Sequence, residues 1–104
     1  MKFILVAIFI TLFFCLSKQE EEANKIVDNL IENNKLLIFS KTYCPFCKRV
    51  KALFSQIGVL EKAKVVELDT RDDAFEIQTE MAKKTGGKRS VPQVFINGEH
   101  IGGS

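Results

Sequence analysis

Residues 36–54 read LLIFSKTYCPFCKRVKALF, and this stretch decides the fold. Leu36 to Phe39 is a short apolar run suited to a buried strand. From Pro45 onward Val50, Leu53, Phe54 and Ile57 fall on one face of a helix, with Pro45 at a favourable first-turn position and Gly58 as a stop signal. A strand thus runs into a helix, and Cys44 and Cys47 sit one helical turn apart where the two meet.

Working outward, Ala23, Ile26, Val27, Leu30 and Ile31 recur at helical spacing between Glu20 and Asn33, which predicts an amphipathic helix ended by Asn33-Asn34. Downstream, Val65-Val66-Glu67-Leu68 predicts a second strand. Asp72 to Lys84 predicts a third helix with Phe75, Ile77 and Met81 as its apolar residues, closed by Gly86-Gly87. Gln93 to Ile96, the turn Asn97-Gly98, and Glu99-His100-Ile101 predict a β-hairpin, because Asn-Gly supplies the positive φ angles of a two-residue turn. The order implies an α/β fold: a small mixed four-stranded sheet, with a parallel pair joined by a crossover and an antiparallel hairpin, flanked by helices.

The chain has 104 residues, a formal net charge of +2, 46% hydrophobic and 27% charged residues, which limits it to one small domain. Lys2 is followed by an uninterrupted apolar run from Phe3 to Leu16 and then by Ser17-Lys18-Gln19-Glu20-Glu21-Glu22. A basic start, an apolar run and small residues at Cys15 and Ser17 predict a signal peptide over residues 1–17, cleaved after Ser17, or a signal anchor retained through residues 3–16. As a helix the run extends only about 21 Å against roughly 30 Å of hydrocarbon, which favours cleavage over a permanent span. This reading places residues 18–104 in the secretory pathway, in the endoplasmic reticulum or Golgi lumen or outside the cell. Cleavage removes Cys15 and leaves Cys44 and Cys47 as the only thiols. With no basic run and no interleaved aromatics, nucleic acid is not expected as a partner.

A thiol attacks a disulfide only as the thiolate, and an ordinary cysteine with a pKa near ~8.5 is mostly protonated at neutral pH. At the start of a helix the Cys44 sulfur faces unpaired N–H groups and the positive end of the dipole, with Lys41 upstream and Lys48 and Arg49 in the first turn. Cys44 is therefore the expected nucleophile. Cys47, one turn along the same face and deeper in the helix, is the expected resolving thiol, and Pro45 fixes the backbone between them. Zinc and other metals are not expected, since residues 18–104 hold no further cysteine and only His100, whereas structural zinc takes four protein ligands. A purely structural disulfide across one helical turn would close too small a loop to gain much chain entropy.

Three blocks together, Lys41-Thr-Tyr-Cys-Pro-Phe-Cys47, Ser90-Val-Pro92 ahead of a strand, and Phe95-Ile-Asn-Gly-Glu-His-Ile-Gly-Gly103, resemble the dithiol glutaredoxins of the thioredoxin-like superfamily. The resemblance covers residues 24–104 and implies a monomeric glutathione-dependent oxidoreductase acting on glutathionylated or disulfide-containing proteins. It implies that Cys44 takes the glutathionyl group, that Cys47 completes a redox-active disulfide with it, and that Lys41 meets a glutathione carboxylate. It further implies that Gln78 contacts the tripeptide, that Val91 pairs with it through its backbone ahead of a cis Pro92, and that Gly103 and Ser104 line its far end. Lys41 and Gln78 have a second, less favoured reading as solvated surface residues, whereas Arg89 reads equally as the basic residue often found near this position in the family and as a surface charge. Tyr43 and Phe46 either line the groove or pack on the domain, and His100 reads as a hairpin surface residue.

The sequence departs from the family at Ser90, where threonine is usual, and at Gly86-Gly87-Lys88, which is one residue longer than common. Family members also continue past Ser104 with an acidic glutathione contact and a final helix, so the domain reads as C-terminally incomplete. Two other activities share the same residues. One is a secretory-pathway dithiol oxidase or isomerase, since glutaredoxin potentials of about −200 to −230 mV lie at or below an endoplasmic reticulum poise of about −180 to −210 mV. The other is a dimer bridging an iron-sulfur cluster through Cys44 and glutathione, which the proline after Cys44 disfavours.

Overall fold

The computed structural model describes the backbone of residues 2–103 and the side chains of residues 18–103. Helix α1 spans Lys2–Asn33 and is followed by strand β1 (Leu36–Ser40), helix α2 (Pro45–Gln56) and strand β2 (Lys64–Glu67). Helix α3 (Ala74–Lys84) and the hairpin β3 (Gln93–Ile96) and β4 (Glu99–Gly103) complete the chain, with short 3₁₀ turns at Leu60–Lys62 and Leu68–Thr70.

The sheet order is β2-β1-β3-β4, with β1 parallel to β2 and antiparallel to β3. This is the mixed four-stranded sheet expected from the sequence. The hairpin turns at Asn97 (φ 52°) and Gly98 (φ 81°), both left-handed as an Asn-Gly turn requires, and a register shift falls between Val94 and Phe95.

Alternation along the strands separates the two faces of the sheet. Leu37 and Phe39 of β1, Val66 of β2 and Phe95 of β3 join Ala23 and Val27 of α1, Ile77 and Met81 of α3, and Leu68 in the main core. Phe39 and Phe95 meet edge to face, with ring centroids 5.9 Å apart. Alternate residues, Ile38 and Ser40 of β1 and Val94 of β3, face the opposite side, where α2 buries Cys47.

Three expectations change. Helix α1 begins at Lys2 rather than near Glu20, because the sequence carries no breaker between the apolar run and the amphipathic segment. Phe75 of α3 is 69% exposed, since Ile77 and Met81 alone point into the core and the Arg89 guanidinium lies 4.9 Å above the Phe75 ring. Leu53 of α2 and Ile57, which caps that helix, stay exposed together with Ile96 and Ile101 of the hairpin. Only the inner side of α2 reaches the sheet, so that side of the domain keeps more apolar surface than singly scattered residues would give.

The apolar run at residues 3–16, expected to be a signal peptide or anchor, has side chains outside the described residues, and so does Ser104. Among the described residues no helix is long and apolar enough to cross a membrane.

Candidate active site

Cys44 is the N-cap of α2. Its extended backbone (φ −80°, ψ 119°) turns the chain into the helix, Pro45 follows in the first turn, and the Cys47 N–H donates to the Cys44 sulfur at 3.4 Å. The Cys44 N–H in turn donates to the Lys41 carbonyl, and the Lys48 N–H to the Cys44 carbonyl, each at 3.1 Å. The junction between β1 and α2 therefore holds this sulfur by its own backbone. Cys44 is half-buried, whereas Cys47 is completely buried against the sheet.

These surroundings divide the two thiols. A hydrogen bond with the Cys47 side chain leads the effects that hold the Cys44 thiol below its ordinary pKa; the backbone N–H groups of Cys47 and Phe46 and the charge of Lys51 add to it, against some desolvation. Burial pushes the Cys47 thiol up, and its hydrogen bond to Cys44 adds to the rise. The thiol at the rim is thus the more readily ionised and the one beneath it the less, the order that nucleophile and resolving thiol require.

The cation that acts on Cys44 differs from the sequence expectation. Lys48 and Arg49 are exposed, and the Arg49 guanidinium lies over the Phe46 ring at 5.4 Å to the centroid. Lys41 lends its charge to Asp69, which accepts from the Thr42 N–H at 2.9 Å and from the Thr42 hydroxyl. Lys51, two turns into α2, is the leading charged neighbour of Cys44, and Glu67 of β2 holds it at 2.7 Å.

Across from Cys44, the Val91–Pro92 peptide bond is cis, as the resemblance implies, and the Val91 carbonyl lies 3.8 Å from the Cys44 sulfur. Gln78 of α3 donates from Nε2 to the Arg89 carbonyl at 2.9 Å, tying α3 to the segment that leads into Val91. Arg89 itself donates to the Thr79 hydroxyl at 2.7 Å and is drawn over Phe75, away from the sulfur. Gly103 pairs with Gln93 in the hairpin, where a Cβ atom would collide with the Pro92 carbonyl oxygen and come within 2.7 Å of Gln93 Oε1. Glycine is required there by close approach. Cys44, Val91, Pro92 and Gly103 are thus brought to one rim, with Gln78 bracing the loop behind it.

His100 is half-buried rather than a surface residue: its Nε2 lies 2.6 Å from Gln93 Oε1, and its ring packs on Phe95. Gln93, completely buried, donates from Nε2 to the Ser90 carbonyl at 3.0 Å. Strand alternation places Gln93 and Phe95 on one face, and the two-residue Asn97-Gly98 turn pairs Phe95 with His100, which brings the His100 ring to that same face. Tyr43 and Phe46 are 65% and 57% exposed, so they flank the thiols without packing on the domain.

The glutaredoxin family model matches residues 36–101. A castor-bean (Ricinus communis) glutaredoxin is 57% identical over 74 residues, which cover 71% of this chain and 70% of the relative. The chain belongs to the glutaredoxin family. Glutaredoxin-C4 of Arabidopsis thaliana is 49% identical over 78 residues, covering 75% of this chain and 56% of the relative. The chain spans less than two thirds of the length of this and other curated relatives, including 64% of Arabidopsis glutaredoxin-C2. A buckwheat glutaredoxin–glutathione complex superposes with a TM-score of 0.76 at 44% identity, over 83% of this chain and 76% of that one. The fold of this glutaredoxin is the thioredoxin-like one that the three sequence blocks imply.

Proposed function

We propose that this glutaredoxin is a glutathione-dependent thiol-disulfide oxidoreductase with Cys44 as nucleophile and Cys47 as resolving thiol. The observation that carries the reading is the half-buried Cys44 sulfur at the helix start, receiving the Cys47 N–H at 3.4 Å, with its pKa lowered while that of Cys47 is raised. Binding of glutathione by the buckwheat relative supports the choice of co-substrate.

The Cys44 thiolate attacks the glutathione sulfur of a glutathionylated protein. The old disulfide bond breaks, the protein leaves as a thiolate that takes a proton from water, and Cys44 becomes a mixed disulfide with glutathione. Reduced glutathione then attacks that glutathionyl sulfur, releasing glutathione disulfide and the Cys44 thiolate. On a protein disulfide, Cys44 first forms a mixed disulfide with the substrate. Cys47 then loses its proton and attacks the Cys44 sulfur, expelling the second substrate thiolate and leaving a Cys44–Cys47 disulfide for glutathione to reduce. The glutathione wall is assigned to Lys41, Gln78, Val91, Pro92, Gly103 and Ser104, with the backbone of Val91 pairing to the tripeptide.

Residues 1–17 are assigned as a signal peptide, which puts residues 18–104 in the secretory pathway, and the exposed Leu53, Ile57, Ile96 and Ile101 as the seat of a further helix. Deglutathionylation of a glutathionylated peptide tests the activity: wild type and Cys47→Ser turn over, and Cys44→Ser does not. Turnover by Cys44→Ser at the wild-type rate contradicts the assignment.

A further inference from the structure

Beneath the exchange site lies a pair of charges that the mechanism leaves unused. Lys51 Nζ meets Glu67 Oε1 at 2.7 Å, with the side chains only 23% and 21% exposed; in every other ion pair among the described residues at least one side chain is more than a third exposed. The second oxygen, Glu67 Oε2, is buried with no hydrogen-bond partner among the described residues. A buried carboxylate oxygen left unpaired is costly, and a half-buried ion pair is in itself weak evidence for stability. The pair therefore needs another explanation than holding the fold.

Its position supplies one. Lys51 follows Cys47 by one helical turn and Cys44 by two, so all three lie on the side of α2 that faces the sheet. Glu67 stands opposite Ser40 in the β1–β2 register, with Ser40 completely buried on the same face. The remaining charged groups near the sulfur are spent elsewhere or face outward: Lys41 acts on Asp69, Lys48 is exposed, Arg49 rests on Phe46 and Arg89 on Phe75.

We propose that Glu67 is a positioning residue for the exchange reaction, gripping the Lys51 ammonium on the sheet side of α2 and offsetting part of the charge that Lys51 presents to Cys44. Lys51 stabilises the thiolate by through-space attraction. Glu67 sets how strong that attraction is, since a carboxylate in contact with the ammonium opposes its field at the sulfur. The inference rests on Cys44 being the nucleophile of the proposed function.

The pair acts with opposite signs, which separates it from a structural role. The probe is the pH dependence of Cys44 alkylation by iodoacetamide, with the site located by peptide mapping. Lys51→Met raises the Cys44 midpoint and Glu67→Gln lowers it, each by about half a unit, the size of a single charge acting through partly solvated protein. Lys51→Arg keeps the wild-type midpoint. If Lys51→Met leaves Glu67 stranded and does not fold, the double variant Lys51→Met/Glu67→Gln, compared with Glu67→Gln alone, carries the test by titrating higher. Shifts of the same sign in both single variants, or an unmoved midpoint in folded variants, overturn the proposal. The titration needs no glutathione, so intact shifts with no deglutathionylation would reject the proposed function alone.

Discussion

The backbone N–H of Cys47 donates to the Cys44 sulfur at 3.4 Å, within the turn that Cys44 caps. The same helical turn therefore gives the two thiols different surroundings. Replacing Cys44 with serine removes the only half-exposed thiol of the pair, and both monothiol and dithiol exchange are expected to fall by about a hundredfold or more, to the background of glutathione itself. Cys47→Ser should keep deglutathionylation and lose reduction of protein disulfides, measured side by side on a glutathionylated peptide and a disulfide-bonded protein.

Alkylation by iodoacetamide follows the thiolate fraction. With the Cys44 pKa lowered by its hydrogen bond to Cys47, the Cys44 rate should rise and level off at lower pH than that of an ordinary cysteine. Cys47, raised by burial, should react only at higher pH and more slowly. Rates for the two peptides that rise together with pH would contradict this division.

Asp69 accepts two hydrogen bonds from Thr42, hydroxyl and N–H, which hold its carboxyl below the usual carboxylate range. A depressed folded-state pKa contributes stability that is present above the unfolded value, near ~3.9, and is lost as pH falls through the folded value. Wild type should therefore lead Asp69→Asn in urea midpoint at pH 7, by a small margin because the carboxylate is exposed, and the lead should close as pH falls through the lowered folded-state value. A lead independent of pH would show that Asp69 acts by packing alone.

Gly103→Ala places a methyl group against the Pro92 carbonyl and Gln93 Oε1. Neither can withdraw freely, since both belong to the backbone and the buried amide that shape the loop beside Cys44. A cost of about 1–3 kcal/mol in chemical denaturation is expected, together with a raised KM for glutathione. A fully stable variant with wild-type kinetics would show that the loop and β4 yield more easily than their contact implies.

The sheet was legible in the sequence because each strand shows its own pattern: the apolar run at residues 36–39, Val65-Val66, and two strands around Asn97-Gly98. Cys44 and Cys47 were legible because a helix start carries its own electrostatics. Lys51–Glu67 and Thr42–Asp69 were not, since each joins residues 16 and 27 positions apart through the parallel pairing of β1 with β2. Individual helix faces were only half legible. Periodicity gave Ile77 and Met81 correctly but counted Phe75 and Leu53 with them, because burial depends on what packs opposite as well as on spacing. His100 was misread although the Asn97-Gly98 turn already sets it opposite Phe95, because spacing does not show that Gln93, two residues along β3 on the same face, is buried and within hydrogen-bond distance of the imidazole.

The central claim is that Cys44 carries the glutathionyl group. Its most direct test is intact mass and peptide mapping of the Cys47→Ser variant after mixing with a glutathionylated peptide. The account predicts one glutathione on Cys44, removed again by reduced glutathione as glutathione disulfide appears. A peptide released with no adduct on Cys44, or an adduct there that reduced glutathione leaves in place, would contradict it.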